Sequence, residues 1–265
     1  MQKLLFPLLL AALTLPAAAQ TAPAFKSSCD EHNFHSGRGQ QRYCETRDLT
    51  MSLPKSGPLY VDADQNGGIS VRSWAGKEVR VRVKVQAWGP DEAAAKAVVA
   101  GINISSAEGQ LRARAGEGEN WAVSYELLVP EKLALDLKTH NGGISLDGVR
   151  GPVTFAAQNG GVSIVGDGGD VRGHTQNGGV SIVLNGKKWE GKGVDVTTTN
   201  GGVSWVVPAN YAAQLYSSTS HGRISSDFPT ISRSMMGGEV NLALGKGGAP
   251  VKAVTTNGGI SIRRI

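Results

Sequence analysis

"QNGGVSIV" stands at Gln158 to Val165 and again, letter for letter, at Gln176 to Val183, 18 residues later. A stretch written twice is serving either a chemical site or a structural corner, and which of the two decides the fold. Aligning on Asn-Gly-Gly gives corners at Asn66, Asn141, Asn159, Asn177, Asn200 and Asn257, with degenerate copies starting at His221 ("HGRIS") and Gly237 ("GGEVN"). From Asn141 onward the spacings are 18, 18, 23, 21, 16 and 20 residues, the self-similarity that marks repeat architectures.

The flanks alternate. Three positions after each corner stand Ile69, Ile144, Val162, Val180, Val203, Ile224, Val240 and Ile260; two further on come Val71, Leu146, Ile164, Ile182, Trp205, Leu242 and Ile262. Upstream, Leu135, Val153, Val171, Val194, Leu215 and Val251 lie six before the corner, and Thr139, Ala157, Thr175, Thr198, Thr219 and Thr255 two before it. That is strand periodicity with one buried face. Asn-Gly between alternating apolar runs also signals a β-hairpin, and the parity satisfies one equally well. Identity between copies favours the other arrangement. Position four after the corner is Ser70, Ser145, Ser163, Ser181, Ser204, Ser225, Asn241 and Ser261. A hairpin array gives copies no reason to match, whereas in a parallel β-solenoid each residue stacks on its counterpart about 4.8 Å away. The expected fold is therefore mainly β, a β-helix-like parallel solenoid, with hairpins as the alternative. The Asn and the two Gly are expected to supply left-handed backbone at the corner, with stacked Asn amides satisfying polar groups there. No helix start and no Lys follows any copy, so a phosphate-cradling reading fails.

The first twenty residues, "MQKLLFPLLLAALTLPAAAQ", fit a secretory signal peptide cleaved after Ala19. Residues 20–50 are read as an N-terminal segment, 51–130 as a first coil with an insertion, and 131–265 as the repeat array continuous with it. Cys29 and Cys44 are the two cysteines; in an oxidising compartment they read as one disulfide, against two free thiols or a metal site. The net charge is +5, but the basic residues are scattered and form no nucleic-acid stripe. No second apolar stretch is long enough to span a bilayer. A periplasmic or extracellular location is expected, without a lipid or membrane anchor. Glycine, 36 of 265 residues, is nearly twice its average usage and has no collagen period.

The repeat lapses between Asn66 and Asn141. Val79 to Trp88 alternates as a strand, Pro90-Asp91 opens an Ala-rich helix of about ten residues ending at Gly101, and Trp121 to Pro130 returns as a strand. This is a strand-helix-strand excursion. Val165, Val183 and Val206 add outward apolar positions in the middle coils, for which that helix is the nearest lid.

The signal peptide, "LYVDADQNGGISV" followed by a strand and an Ala-rich helix, "VSYELLVPEKLALDLKTHNGGISL", the "TQNGGVSIVLNG" coils and "VVPANYAAQLYSSTSHGRISSDFP" together resemble the bacterial β-strand-repeat family of putative adhesins, from about Leu49 to Ile265. The departures are the His221 and Gly237 copies, where Asn is lost, and the Cys29 to Cys44 region. The resemblance implies a β-solenoid and an envelope location; the family has no agreed activity or catalytic residues to carry over.

Polysaccharide-cleaving β-helices need clustered carboxylates or bases on successive coils. Here Asp136, Asp147, Asp167, Asp170, Asp195 and Asp227 fall at coil ends or alone. "GDGGD" (Gly166 to Asp170) occurs once, whereas Ca²⁺-binding nonapeptides come in tandem. Cys29, Asp30, His32 and His35 are close enough for a metal site, but a disulfided cysteine cannot ligate. His140, His174 and His221 flank corners and read as exposed edge residues. The chain is read as a non-enzyme without cofactor or metal, a structural or interaction module binding an envelope protein or a glycan through a long flat side. The alternatives are a carbohydrate-active enzyme with an unrecognised site and an accessory tether in envelope signalling. The last coil, "VTTNGGISIRRI", runs to the final residue, so Arg263 and Arg264 are expected to guard an open edge and limit weak self-association.

Overall fold

A computed structural model describes residues 22–29, 39–116, 120–229 and 236–265. The segment assigned to a signal peptide, and Asp30, His32 and His35, lie outside the described residues. The described residues are mainly β with one helix. The first described elements are β1 (Gln41–Met51), β2 (Leu59–Asp62), β3 (Ile69–Trp74), β4 (Val79–Gly89), α1 (Glu92–Gly101), β5 (Asn103–Ser105), β6 (Gln110–Arg114) and β7 (Trp121–Pro130), with the Asn66 corner joining β2 to β3. Five corners then each join two strands: β8 (Leu135–Asn141) to β9 (Ile144–Asp147), β10 (Pro152–Asn159) to β11 (Val162–Gly166), β12 (Gly168–Asn177) to β13 (Val180–Leu184), β14 (Glu190–Asn200) to β15 (Val203–Val207), and β16 (Ala213–His221) to β17 (Ile224–Ser226). After β18 (Gly238–Leu244), the Asn257 corner joins β19 (Pro250–Asn257) to β20 (Ile260–Arg264).

The described strands make two ten-stranded sheets, ordered β1-β4-β7-β3-β9-β11-β13-β15-β20-β17 and β18-β16-β19-β14-β12-β10-β8-β2-β6-β5. Each corner thus passes the chain from one sheet to the other, and its two strands do not pair as a hairpin. They pair in parallel with their counterparts: Asn159 lies opposite Asn141 and Asn177, Val162 opposite Ile144 and Val180, Ser163 opposite Ser145 and Ser181. The inward positions of both sheets form one continuous buried cluster. Around Asn200 it holds Val194, Val196, Val203, Trp205 and Val207, all at most 2% exposed, each worth about 1.5–3 kcal/mol against exposure. Where Phe155 fills the core, its neighbour one coil on is Gly173, whose missing side chain leaves the space: a Cβ there would meet the Phe155 ring at 2.5 Å.

The corner differs from expectation in its physics. Among the described non-glycine residues only Asp64 and Glu108 have positive φ, and no corner Asn or Gly does. The glycines are required by proximity. A Cβ on the first glycine would meet the carbonyl oxygen of its counterpart at 2.0 Å for Gly142, Gly160 and Gly222, 2.1 Å for Gly178 and Gly258, and 2.2 Å for Gly201. The second glycine is freer, with 3.1 Å at Gly143, 3.2 Å at Gly202 and 3.4 Å at Gly161 and Gly179. That asymmetry explains "HGRIS": Gly222 is retained, while Arg223 occupies the permissive second position. The carbonyls so crowded are also used. Thr139, Thr175, Thr198, Thr219 and Thr255 donate their hydroxyls at 2.6–2.8 Å to the first-glycine oxygens of Gly67, Gly160, Gly178, Gly258 and Gly201, which satisfies a buried or partly buried acceptor in each case.

Three further expectations are corrected. The Asn257 corner's strands lie between those of the Asn200 and His221 corners, so the last coil is not the end of the stack. β20 is paired with β15 along its length and with β17 over Ile260–Ile262, while Arg263 and Arg264 pair with β15 alone. The Arg264 backbone N–H donates to Asp227 at 3.0 Å and its guanidinium lies over Phe228. The Gly237 copy is no corner at all, because β18 pairs antiparallel with β16 and forms that sheet's edge. The helix forms where expected, capped by Asp91 accepting from Ala94 N–H at 2.7 Å, but Ala95 and Val99 pack it on β4 and β1 and not over the middle coils. One turn escaped the pattern: β6 and β7 pair in parallel with β2 and β3, a coil without Asn-Gly-Gly.

Candidate binding groove

Since positions three and five after a corner point inward, position four and the second glycine face out, one per coil. In stacking order the serines are Ser70, Ser145, Ser163, Ser181, Ser204, Ser261 and Ser225, a row in parallel register. At about 4.8 Å per coil the row is roughly 29 Å long. It forms the floor of a groove of about 1250 Å³ with Gly68, Gly143, Gly161, Gly179, Gly202 and Gly259 alongside. The floor is smooth because every residue in it is small. On the same face the next outward row is Arg72, Asp147, Val165, Val183, Val206 and Arg263; the three valines are half-buried and form an apolar stripe between charged ends.

The two ends of the groove differ. At one, Arg223 takes the second-glycine position and projects a cation. At the other, the row continues from Ser70 to Glu126, a carboxylate only 4% exposed. Glu126 accepts from the backbone N–H of Lys26 at 2.9 Å and of Ser27 at 2.7 Å, from the Ser27 hydroxyl at 2.8 Å and from Arg72 at 2.7 Å. Burial alone would raise its pKa; the N–H and hydroxyl donors of residues 26 and 27 and the Arg72 guanidinium outweigh that and hold it below the ordinary glutamate value. The carboxylate therefore ties residues 22–29 across the sheet as a strap. Arg72 also donates to Ala24 O at 2.7 Å, Phe25 sits 4.9 Å from the Arg82 guanidinium, and the Cys29–Cys44 disulfide fastens the far end to β1. Lys26 and Ser27 thus form an end wall of the groove. Composition gave no hint of Glu126. The signal that could have found it is an acidic residue at an outward position of "WAVSYELLVP", aligned with the serine row.

Across the corners, the outer face of the other sheet carries a second hollow of about 760 Å³ lined by Asp62, Lys138, His140, His174 and the Gln158 and Gln176 side chains. It brings together two of the three histidines singled out in the sequence. The third, His221, occupies the Asn place opposite Asn257.

The six corner asparagines form an amide ladder. Asn257 donates to Asn200, Asn200 to Asn177, Asn177 to Asn159 and Asn159 to Asn141, each at 2.8 Å, and Asn141 donates to Asn66 at 3.2 Å. They satisfy one another and do not chiefly serve the backbone. Of the acidic residues in the repeats, Asp167 is paired with Arg150, Asp170 with Arg172, and Asp195 with Lys252. Asp147 lines the main groove and Asp136 lies between Tyr60 and Thr154 on the opposite sheet. Among the described residues no three His, Cys, Asp or Glu gather as a metal site, and no helix is long and apolar enough to cross a membrane.

No protein-family model matches the chain, and no curated protein matches it. Among solved structures it is similar to a putative cell adhesion protein from Clostridium sporogenes (TM-score 0.40, 11% identity, 83% of this chain and 100% of that one). It is also similar to a putative adhesin from Bacteroides fragilis (TM-score 0.34, 15% identity, 84% and 97%) and to a putative lipid binding protein from Parabacteroides distasonis (TM-score 0.33, 11% identity, 83% and 96%). Likenesses of this strength transfer neither ligand nor activity.

Proposed function

We propose that this chain is a non-enzymatic interaction module of the cell envelope or extracellular space, a parallel β-solenoid that binds an extended protein or glycan along its serine-glycine groove. The observation that carries the reading is the groove itself: small residues repeated once per coil over roughly 29 Å make a long, even channel suited to a linear polymer, with a cation at one end and a polar strap at the other. Regular stacking supplies the rigidity that a binding surface needs. The paired acidic side chains argue for a role other than acid–base chemistry, since a carboxylate held by its own arginine is a poor proton carrier. The disulfide fits an oxidising compartment.

The test fills the groove without touching the core. Ser163→Trp and Ser181→Trp each place a large side chain on the floor, and the variants are compared with wild type in pull-downs from envelope extract and on a glycan array. Loss of a captured protein or glycan in both variants, with unchanged melting, supports the reading. Undiminished binding refutes the groove, and release of cleaved sugar would turn the reading to a carbohydrate-active enzyme.

A further inference from the structure

The same dipeptide, Asn-Gly, occurs once more outside the ladder, and there its surroundings are reversed. Asn185-Gly186 lies in the exposed connection between β13 and β14, with both residues exposed and Gly186 at φ +72°. The Asn185 backbone N–H donates to Gly166 O at 2.8 Å, but among the described residues neither the Asn185 side chain nor the Gly186 N–H has a hydrogen-bond partner. Lys187 and Lys188 follow immediately.

We infer that Asn185 is a site of spontaneous covalent modification, deamidating through a cyclic imide, and that the ladder shields the six corner asparagines from the same reaction. The Gly186 backbone nitrogen attacks the Asn185 side-chain carbonyl carbon, forming the N–Cγ bond. The Cγ–Nδ2 bond breaks, and the amide leaves as ammonia with the proton that the nitrogen gave up. Water then opens either C–N bond of the imide to yield aspartate or isoaspartate. Glycine after the asparagine removes the side chain that would obstruct ring closure, and at Gly186 an added Cβ would meet nothing nearer than 3.6 Å. The reaction needs a free nucleophilic nitrogen and a side chain able to rotate onto it. Asn185 has both.

At the corners every asparagine side chain is held in the ladder, and after Asn66, Asn177, Asn200 and Asn257 the attacking nitrogen is held as well. Asn177 is held twice, donating to Asn159 and accepting from Asn200. The nucleophile is also occupied, since the N–H groups of Gly67, Gly178, Gly201 and Gly258 donate at 3.0–3.1 Å to the carbonyls of Asn141, Asn200, Asn257 and His221. A corner can react only after its coil opens locally. The motif that allows close stacking would, unstacked, be the part of the chain most prone to this damage; the ladder converts it into a durable one.

The test is peptide mapping of the folded, full-length protein held at mildly alkaline pH, scoring amide-to-acid conversion and isoaspartate at each Asn-Gly. Asn185 is expected to convert at least about tenfold faster than Asn159 or Asn177, a factor that corresponds to 1.36 kcal/mol in the barrier. The gap should close in the denatured chain. Asn257→Ala, which removes the bond to the Asn200 side-chain oxygen, should raise conversion at Asn200 and leave Asn185 unchanged. Comparable rates at Asn185 and Asn177 in the folded protein would overturn the assignment, and no rise at Asn200 in the variant would overturn the shielding.

Discussion

Replacing one glycine of a corner and then its neighbour separates the physics of proximity from the physics of backbone conformation. In Gly160→Ala the new Cβ would stand 2.0 Å from Gly142 O and 2.4 Å from its carbon. Relieving that contact needs at least about 1 Å of displacement between two close-packed coils. The hydrogen bond from the Asn159 amide to Asn141 at 2.8 Å joins the same two coils. Lengthened by 1 Å, it passes beyond hydrogen-bonding range, losing about 1 kcal/mol. Overpacking strain of about 1–3 kcal/mol comes on top, so the expected loss is about 2–4 kcal/mol. In Gly161→Ala the nearest atom is Gly179 O at 3.4 Å, and neither glycine has positive φ, so the stiffer unfolded chain offsets the tighter contact and stability stays within about 1 kcal/mol. Urea denaturation of both variants measures the difference, which also appears as a melting point lowered by about 4–16 °C for Gly160→Ala alone. Equal stabilities would refute the proximity argument and return the glycines to the left-handed role that the sequence suggested.

Three other expectations follow from the same contacts. In Asn177→Asp the carboxylate still accepts from Asn200 but no longer donates to Asn159, costing about 1 kcal/mol at neutral pH and less in acid, where the protonated acid regains a donor; a pH-independent deficit in thermal melts would contradict the ladder. Because the Glu126 pKa is depressed in the folded chain, its stabilisation is present in full above the unfolded glutamate value and is lost as pH falls through the lower folded value. The Lys26 and Ser27 amide shifts should titrate there together, Glu126→Gln should expose Lys26 to trypsin at neutral pH, and unchanged cleavage would show that Glu126 does not hold the strap. Arg263→Val/Arg264→Val should keep the light-scattering mass of wild type over a concentration series, since β20 is flanked by β15 and, over Ile260–Ile262, by β17; self-association of the double variant would show that the two arginines guard the strand end.

Most of the fold's grammar lay in the sequence, because stacking in register forces the same residue type at the same position in each coil. Ile144, Val162 and Val180 declare one inward row, and Ser145, Ser163 and Ser181 one outward row. What identity could not convey was the reason for the glycines: a residue excluded by a carbonyl in the next coil and one excluded by its own φ leave the same letter. The groove was legible only in part. Its floor follows from the repeat, but its polar end depends on Glu126 and on residues 24–27, which are about 100 positions apart in the chain and share no period. The pairing of β6 and β7 with β2 and β3 was hidden for a related reason, as it lies at the margin of the parallel stack and no Asn-Gly-Gly stands between the two strands.

The order of the coils has its cause in the sequence. With coils stacked in chain order, His221 would stand between Asn200 and Asn257 and divide the ladder. Placing the last corner beside Asn200 keeps six asparagines in one unbroken row, and moves the residue that cannot continue the row to its end, opposite Asn257. The arrangement gains the Asn257-to-Asn200 bond at 2.8 Å, while Thr219 and Gly222 still fit against Gly258. Every rung donates toward the N-terminal coils, so an amide at position 221 would donate to the Asn257 side-chain oxygen in the same sense. His221→Asn is therefore expected to add a sixth rung and stabilise the chain by about 0.5–1.5 kcal/mol, the net worth of one hydrogen bond, seen as a melting point raised by about 1–6 °C. A destabilised variant would mean that His221 makes a contribution of its own at the edge that the ladder does not explain.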